Sequence, residues 1–310
     1  RITQRIGPPY GPTLRNYALA LACTGEYGQF HGGNVSSVLS AMNTSINRMN
    51  SIAEPELAIR LNLIPNNDLL IFLNGSTDPY TNSNGGAMLS QNQTTVDNII
   101  GSNNYDIGHV FSTGGGGVAY LGSVCTSFKA GGVTGLPAPI GDPFNVDYVA
   151  HEMGHQFGCN HTFNNNCSGN RSSNDAYEPG SGSTIMSYSG ICSPNLQNLS
   201  DDVYHVNSLI EGSDYLHSGF GNSCASGTSS GNAAPSVTVG SSGFSIPAST
   251  PFELTAVGSD PNPGNVITYS WEQYNLGPAT TSGDNNLNNP SGNAPCIRSF
   301  APVSSPTRVV

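Results

Sequence analysis

The sequence predicts an α/β (α+β) architecture over most of its length, followed by a shorter all-β portion, and three observations predict it. Apolar runs of strand length alternate with stretches of helical periodicity as far as residue 210. Residues 225–234, Ala-Ser-Gly-Thr-Ser-Ser-Gly-Asn-Ala-Ala, then have the composition of a linker. Beyond them come only short alternating segments broken by Pro, Asn and Gly. The 310 residues thus divide into an N-terminal extension (1–13), a main domain (14–224), the linker (225–234) and a β-sandwich (235–310) that looks incomplete, within the length expected of two domains.

Each element rests on its own signal. Tyr17 to Ala22 is a continuous apolar run and reads as a buried strand. Val35 to Met49 places Val35, Val38, Leu39, Met42, Ile46 and Met49 on one helical side. Leu57 to Ile64 and Asp68 to Phe72 read as strands. Leu89 to Ile100 reads as a helix stopped by Gly101. Tyr105 to Phe111 is a further strand. After the glycine run 114–117, Val118 to Val124 forms an exposed edge strand, whose glycines permit close backbone approach. A helix over residues 145–157 and another over Asp202 to Ile210 complete the main domain. In the last portion Ser236 to Val239, Phe252 to Val257 and Val266 to Glu272 alternate as strands, with the sole tryptophan, Trp271, placed to fill a sandwich core.

Composition limits the function. Charged residues are 9% of the chain, well below the roughly 25% of ordinary soluble proteins, and Asn, Ser, Thr and Gly stand in their place. A net charge of −11 with nine cationic side chains argues against nucleic acid or an anionic membrane as partner. No run of about 18 apolar residues is present to span a bilayer. Seven cysteines without a CxxC pair favour disulfides and an oxidising compartment. Cys23, Cys125, Cys159, Cys167, Cys192 and Cys224 could form three bridges in any of about 15 connectivities, leaving Cys296 over. No signal peptide stands at Arg1, so the chain reads as mature or trimmed. Val309-Val310 looks like a strand beginning, so the protein is expected to continue.

The chemistry concentrates in residues 151–161, His-Glu-Met-Gly-His-Gln-Phe-Gly-Cys-Asn-His. On a helix His151 and His155 lie four apart, near one face. Neutral imidazole is the commonest zinc ligand. Gly158 suits a left-handed residue that ends the helix and turns the chain, which brings His161 back as third ligand. Three protein ligands leave a coordination position open, as in catalytic rather than structural zinc. Glu152 projects beside His151, within reach of a water without ligating.

This pattern, HExxHxxGxxH, resembles that of the metzincin metallopeptidases, in which a Met-turn follows; the matching stretch here is Ser183-Thr184-Ile185-Met186-Ser187-Tyr188. The segment from Leu14 to Cys224 is similar to secreted bacterial reprolysin-like, adamalysin-related peptidases, most of all at Tyr105 to Phe111, at glycines 114–117 and at Asp147 to Ala150. The resemblance implies a mixed sheet and a long zinc-binding helix, with Zn2+ on His151, His155 and His161. It implies Glu152 as general base and acid, Met186 as the floor of the site, and Tyr188 as a further ligand or oxyanion donor. It also implies that substrate pairs with the edge strand at Val118, Ala119, Tyr120, Leu121 and Gly122. One departure is Thr162, where adamalysins carry Asp after the third His. Residues 235–310 resemble the Ig-like or PKD-like modules of secreted bacterial enzymes.

The expected function is therefore a secreted zinc endopeptidase acting on protein or peptide substrates as a monomer. The alternatives are a zinc hydrolase of a non-protein amide and a catalytically silent adhesion module. Calcium is a second candidate cofactor. Asp142, Asp175, Glu178, Asp201, Asp202 and Asp260 offer oxygen ligands near loops, though their spacing names no site. His31, His109, His205 and His217 lack ligand spacing and are expected to serve packing.

Overall fold

The computed structural model describes residues 11–240, 245–247, 250–280 and 287–310; most of the N-terminal extension lies outside them. Strand β1 (Thr13–Cys23) is the centre of a mixed sheet. Its apolar run is continuous because both faces are covered, the pattern of a parallel sheet. Leu19, Leu21 and Cys23 join one core and Ala20 and Ala22 the other. On the first face lies α2 (Val35–Leu57), begun by Asn34, whose side chain accepts from the Ser37 N–H at 3.0 Å. On the second lies α3 (Gly85–Ile99), capped in the same way by Asn84. α2 places Val38, Leu39, Met42, Ile46 and Met49 on the core as its periodicity assigns, while Val35, at its first position, is exposed. A short α1 (Gly25–Phe30) follows β1 directly.

β2 (Ile59–Leu63) and β3 (Ile107–Ser112) flank β1 in parallel, then come β5 (Gly132–Gly135), parallel to β3, and β4 (Gly117–Ala119), antiparallel to β5 at the sheet's edge. β4 is shorter than expected. Past Ala119 the chain turns: Tyr120 N–H still reaches the Gly131 carbonyl at 2.9 Å, but Gly122 N–H donates to the carbonyl of His155 at 2.8 Å. Tyr120, Leu121 and Gly122 are therefore a turn laid on the histidine-bearing helix, not edge strand.

Two further expectations are corrected. Asp68 to Phe72 is not a strand, because Asn67–Leu70 is a 3-10 turn. The Asn67 amide makes both ladder bonds to Leu21, accepting from its N–H at 2.8 Å and donating to its carbonyl at 2.9 Å. One side chain thus occupies the place of a strand. The composition-defined linker contains β6 (Ser226–Ser229), which pairs antiparallel with Thr13–Asn16 of β1.

The histidine-bearing helix is assembled from α4 (Asp142–Phe144), a π-helical segment over Asn145–Ala150 and α5 (His151–Gln156). After a long irregular stretch comes α6 (Val206–Ser213), four residues later than its periodicity suggested. Two disulfides form, Cys125–Cys224 and Cys167–Cys192. Cys23 and Cys159 are buried free thiols on different elements and Cys296 is exposed, so the expected third bridge is absent. Burial pushes the Cys23 thiol up to about 12.

The last portion contributes a separate antiparallel sheet of β7 (Ser236–Val239), β8 (Glu253–Ser259) and β9 (Thr307–Val309). Val266 to Glu272 does not form a strand; only an isolated bridge joins Tyr269 to Val303. Trp271 is half-buried and donates to the Pro306 carbonyl at 3.3 Å instead of filling a sandwich core. Glu272, Tyr274, Thr280 and Arg298 lie against residues 165–206. Tyr274 stacks on Tyr177 at 4.2 Å, Thr280 bridges to Asn165, and Arg298 pairs with Asp201 at 3.2 Å. No helix of the described residues is long and apolar enough to cross a membrane.

Candidate metal centre

His151 and His155 project from α5 and His161 returns after Gly158, which has φ +95°, a left-handed turn that glycine adopts without strain. The ligand atoms of the three side chains all lie within 4.8 Å of one another. His161 Nε2 stands 3.2 Å from His151 Nε2 and 3.0 Å from His155 Nε2. Tetrahedral zinc bonds of about 2.0–2.1 Å would hold two imidazole nitrogens about 3.3 Å apart, so the spacing fits that ion.

The tautomers can be argued from the partners. Each Nδ1 faces a main-chain carbonyl, and a carbonyl only accepts. His151 donates to Ile185 O at 2.7 Å, His155 to Cys159 O at 2.8 Å and His161 to Asn170 O at 2.8 Å. With the proton on Nδ1, each neutral ring turns an Nε2 lone pair inward. Three lone pairs at this spacing repel unless a cation sits among them. Burial, with mutual repulsion between the rings, drives His151 well below the usual histidine range and His155 down to about 3; burial also lowers His161. All three are held as neutral donors.

Glu152 is buried, and desolvation alone pushes its carboxyl up to about 8. Its Oε1 lies so close to Gly117 that a Cβ there would overlap it, which explains the glycine at the start of β4. Gly154 has a similar duty: an added Cβ would stand 2.5 Å from Met186 Sδ. Met186 is fully buried against the helix, and the adjoining Ile185 carbonyl is the one that orients His151. Tyr188 stacks on Phe163 at 4.4 Å, with its ring 4.7 Å from that of His161. Burial, with Glu152 and Tyr148 nearby, pushes its phenol up to about 12, so it is a donor near neutrality.

Glu178, considered in the sequence only as a calcium ligand, instead bonds to Thr162, the residue after the third histidine. This fully buried carboxylate accepts from the Thr162 hydroxyl at 2.5 Å, from Ser183 N–H at 2.9 Å, from Thr184 N–H at 3.1 Å and from Thr184 Oγ1 at 2.6 Å. It fastens the residue after the third ligand to the entrance of the Met-turn. Met186 O completes the join by accepting from Thr162 N–H at 3.1 Å. The other acids considered for calcium are also engaged. Asp142 and Asp202 meet Arg48, Asp201 meets Arg298, Asp175 accepts from Ser172 and Asn207, and Asp260 accepts from Asn262 N–H. Among the described residues only the histidine trio gathers three potential ligands at one point.

The cleft has two lobes that share Gly117, Glu152 and Tyr188. One, about 440 Å³, extends over Val118 and Ala119 to His161 and Arg171. The other, about 340 Å³, is walled by Leu136, Pro143, Tyr148, Ile191 and Leu199. A larger hollow of about 810 Å³ lies between the end of α2, α6 and β6, and shares no residue with the histidines. Its size is no argument for chemistry there.

A mixed-sheet domain with a histidine-bearing helix, a glycine turn and a buried methionine beneath it defines a zinc metallopeptidase class. The chain belongs to the metallo-peptidase family M12B, reprolysin-like, which residues 13–212 match. No curated protein matches the chain closely enough to count as a relative.

Proposed function

We propose that the protein is a secreted zinc endopeptidase that hydrolyses peptide bonds of extracellular proteins, with the metal on His151, His155 and His161. The observation that carries this reading is the set of three inward Nε2 lone pairs, each ring fixed through Nδ1, with a buried carboxylate beside them and a free sheet edge across the cleft. Zinc bound by His151, His155 and His161 would supply an acidified water and Lewis-acid polarisation of a carbonyl. Glu152, its carboxyl returned to the ionised form by a cation on the histidines, accepts the proton of the attacking water and delivers it to the leaving amine. The Tyr188 hydroxyl, aligned by Phe163, donates to the oxyanion developing on the scissile carbonyl. Main-chain groups of Gly117 to Ala119 hold the substrate extended. The two disulfides support an oxidising, extracellular setting.

The test is peptide cleavage by the wild type and by Glu152→Ala, with zinc content measured in both. The variant is expected to keep its zinc and lose about 10²–10⁴-fold in kcat. In Tyr188→Phe the loss is about 10–10²-fold, again in kcat. Full activity in Glu152→Ala would overturn the assignment.

A further inference from the structure

Within this peptidase reading, we infer that Arg171 selects substrates carrying an acidic side chain on the N-terminal side of the scissile bond. Arg171 lines the lobe that contains His155, His161 and Ser172. It follows Asn170, whose carbonyl holds His161, so its backbone is tied to the metal centre. Among the described residues its guanidinium is fixed by neutral acceptors: Nε donates to Asn164 Oδ1 at 3.0 Å and Nη2 to the Gly277 carbonyl at 3.0 Å. Asn164 is itself fully buried and donates to Pro278 O at 2.8 Å and Thr280 Oγ1 at 3.1 Å, so the plane of the fork is set.

The contrast with Arg48, Arg60 and Arg298 is one of charge; Arg308, also held by carbonyls, lines neither lobe of the cleft. Arg48, Arg60 and Arg298 each meet a carboxylate at 2.6–3.2 Å. Among the described residues no carboxylate pairs with Arg171, and its environment is dominated by desolvation. A positive charge partly withdrawn from water, rigidly held and without a counter-ion among the described residues on a cleft wall favours a carboxylate from outside. Among the described residues Glu152 is the one acid lining the same lobe, and it abuts Gly117. The net charge of −11 opposes acidic substrates at long range, but salt screens that field beyond about 10 Å. The local cation therefore decides.

The strand direction gives the side of the bond. β4 runs from Gly117, common to both lobes, into Val118 and Ala119 in the Arg171 lobe. β5 occupies one edge of β4 and the other is free. A substrate strand adding there in the antiparallel sense, the more stable of the two pairings, runs opposite to β4. Its N-terminal half crosses the Arg171 lobe.

Quenched fluorescent peptides that differ only in Glu, Gln or Lys at the three positions before the cleaved bond and the three after it test this. At one of the three preceding positions Glu is expected to exceed Gln by about 10-fold or more in kcat/KM. R171Q brings the Glu/Gln ratio close to one and R171E reverses the preference toward Lys. Binding of the same peptides to zinc-loaded Glu152→Ala, read by anisotropy, is expected to show the same order without turnover. A merely structural role for Arg171 would slow all peptides alike and leave the ratio intact, which overturns the proposal. Equal handling of Glu and Gln by the wild type overturns it too, as does a preference found only after the bond. Cleavage without acid preference leaves the peptidase reading standing; absence of both cleavage and peptide binding removes both.

Discussion

The metal helix joins two regions built on different principles. Above it, residues 13–135 are held by a sheet and two amphipathic helices, and their buried surface is mostly apolar. Below it, residues 162–205 contain almost no regular structure. They are held by Glu178, by buried asparagines and by Cys167–Cys192. Asn165, for example, donates to Cys192 O at 2.8 Å and to Pro194 O at 3.2 Å. Apolar packing degrades gradually when an atom is lost, because neighbours partly relax. A buried polar network does not, because each severed donor is left without water to replace its partner. The lower region should therefore respond more sharply to single polar substitutions.

Glu178→Ala should break this contrast most severely. It strands hydroxyls and N–H groups at Thr162, Ser183 and Thr184 in a dry interior, and the expected loss is on the order of 4 kcal/mol. Zinc affinity should fall with it, since Thr162 adjoins His161 and Thr184 adjoins Ile185. Denaturant unfolding and zinc titration of the variant measure both. A loss under about 1 kcal/mol would mean that the network does not hold this region.

Replacing Cys167 and Cys192 by Ala comes next. The bridge spans a separation of 25 residues, for which chain-entropy reasoning gives about 3.5 kcal/mol. The closed loop holds Glu178 and the Met-turn, so limited proteolysis should cut between 164 and 200 before the sheet unfolds. Simultaneous loss of both regions would show that they unfold as one unit.

The same contrast explains what the sequence reveals. β1, β3, α2 and α3 are legible because burial leaves a periodic apolar trace. β5 is not, because its sequence is Gly-Val-Thr-Gly. Gly132 has no room for a Cβ beside His109 and Gln156, nor has Gly135 beside Ser112 and Gly114. β6 is exposed and contributes only main-chain pairing, so a linker composition conceals it. At the site, His151, Glu152 and His155 share one helix at fixed spacing and His161 follows its glycine turn, so all four could be read directly. The groups that orient them are carbonyls of Ile185, Cys159 and Asn170, which carry no side-chain signature. Glu178 lies sixteen residues from its hydroxyl partner Thr162, and Arg171 owes its place to a carbonyl over a hundred residues away.

The smallest effect sharpens the comparison from the sheet side, at a buried polar group of that region that titrates. His109 on β3 is fully buried, with Nδ1 2.8 Å from Gln156 Oε1 and Nε2 2.8 Å from Thr134 Oγ1. Gln156 Nε2 already donates to Gly108 O at 3.0 Å, so its Oε1 accepts from His109 Nδ1–H and the Thr134 hydroxyl donates to Nε2. Burial, partly offset by Gln156, lowers this imidazole to about 4, against an ordinary value of 6.5. The unfolded chain therefore takes up the proton first as pH falls. The stability contributed by the neutral ring is complete above about pH 6.5 and is lost progressively toward pH 4. Between pH 7.5 and 5 the loss is about 2 kcal/mol. Urea midpoints of the wild type and His109→Gln at the two pH values measure it. The variant should be less stable at pH 7.5 yet lose about 2 kcal/mol less on acidification, because the metal-site histidines contribute equally to both proteins. An identical pH response in the two would show that the buried ring exchanges its proton without regard to folding.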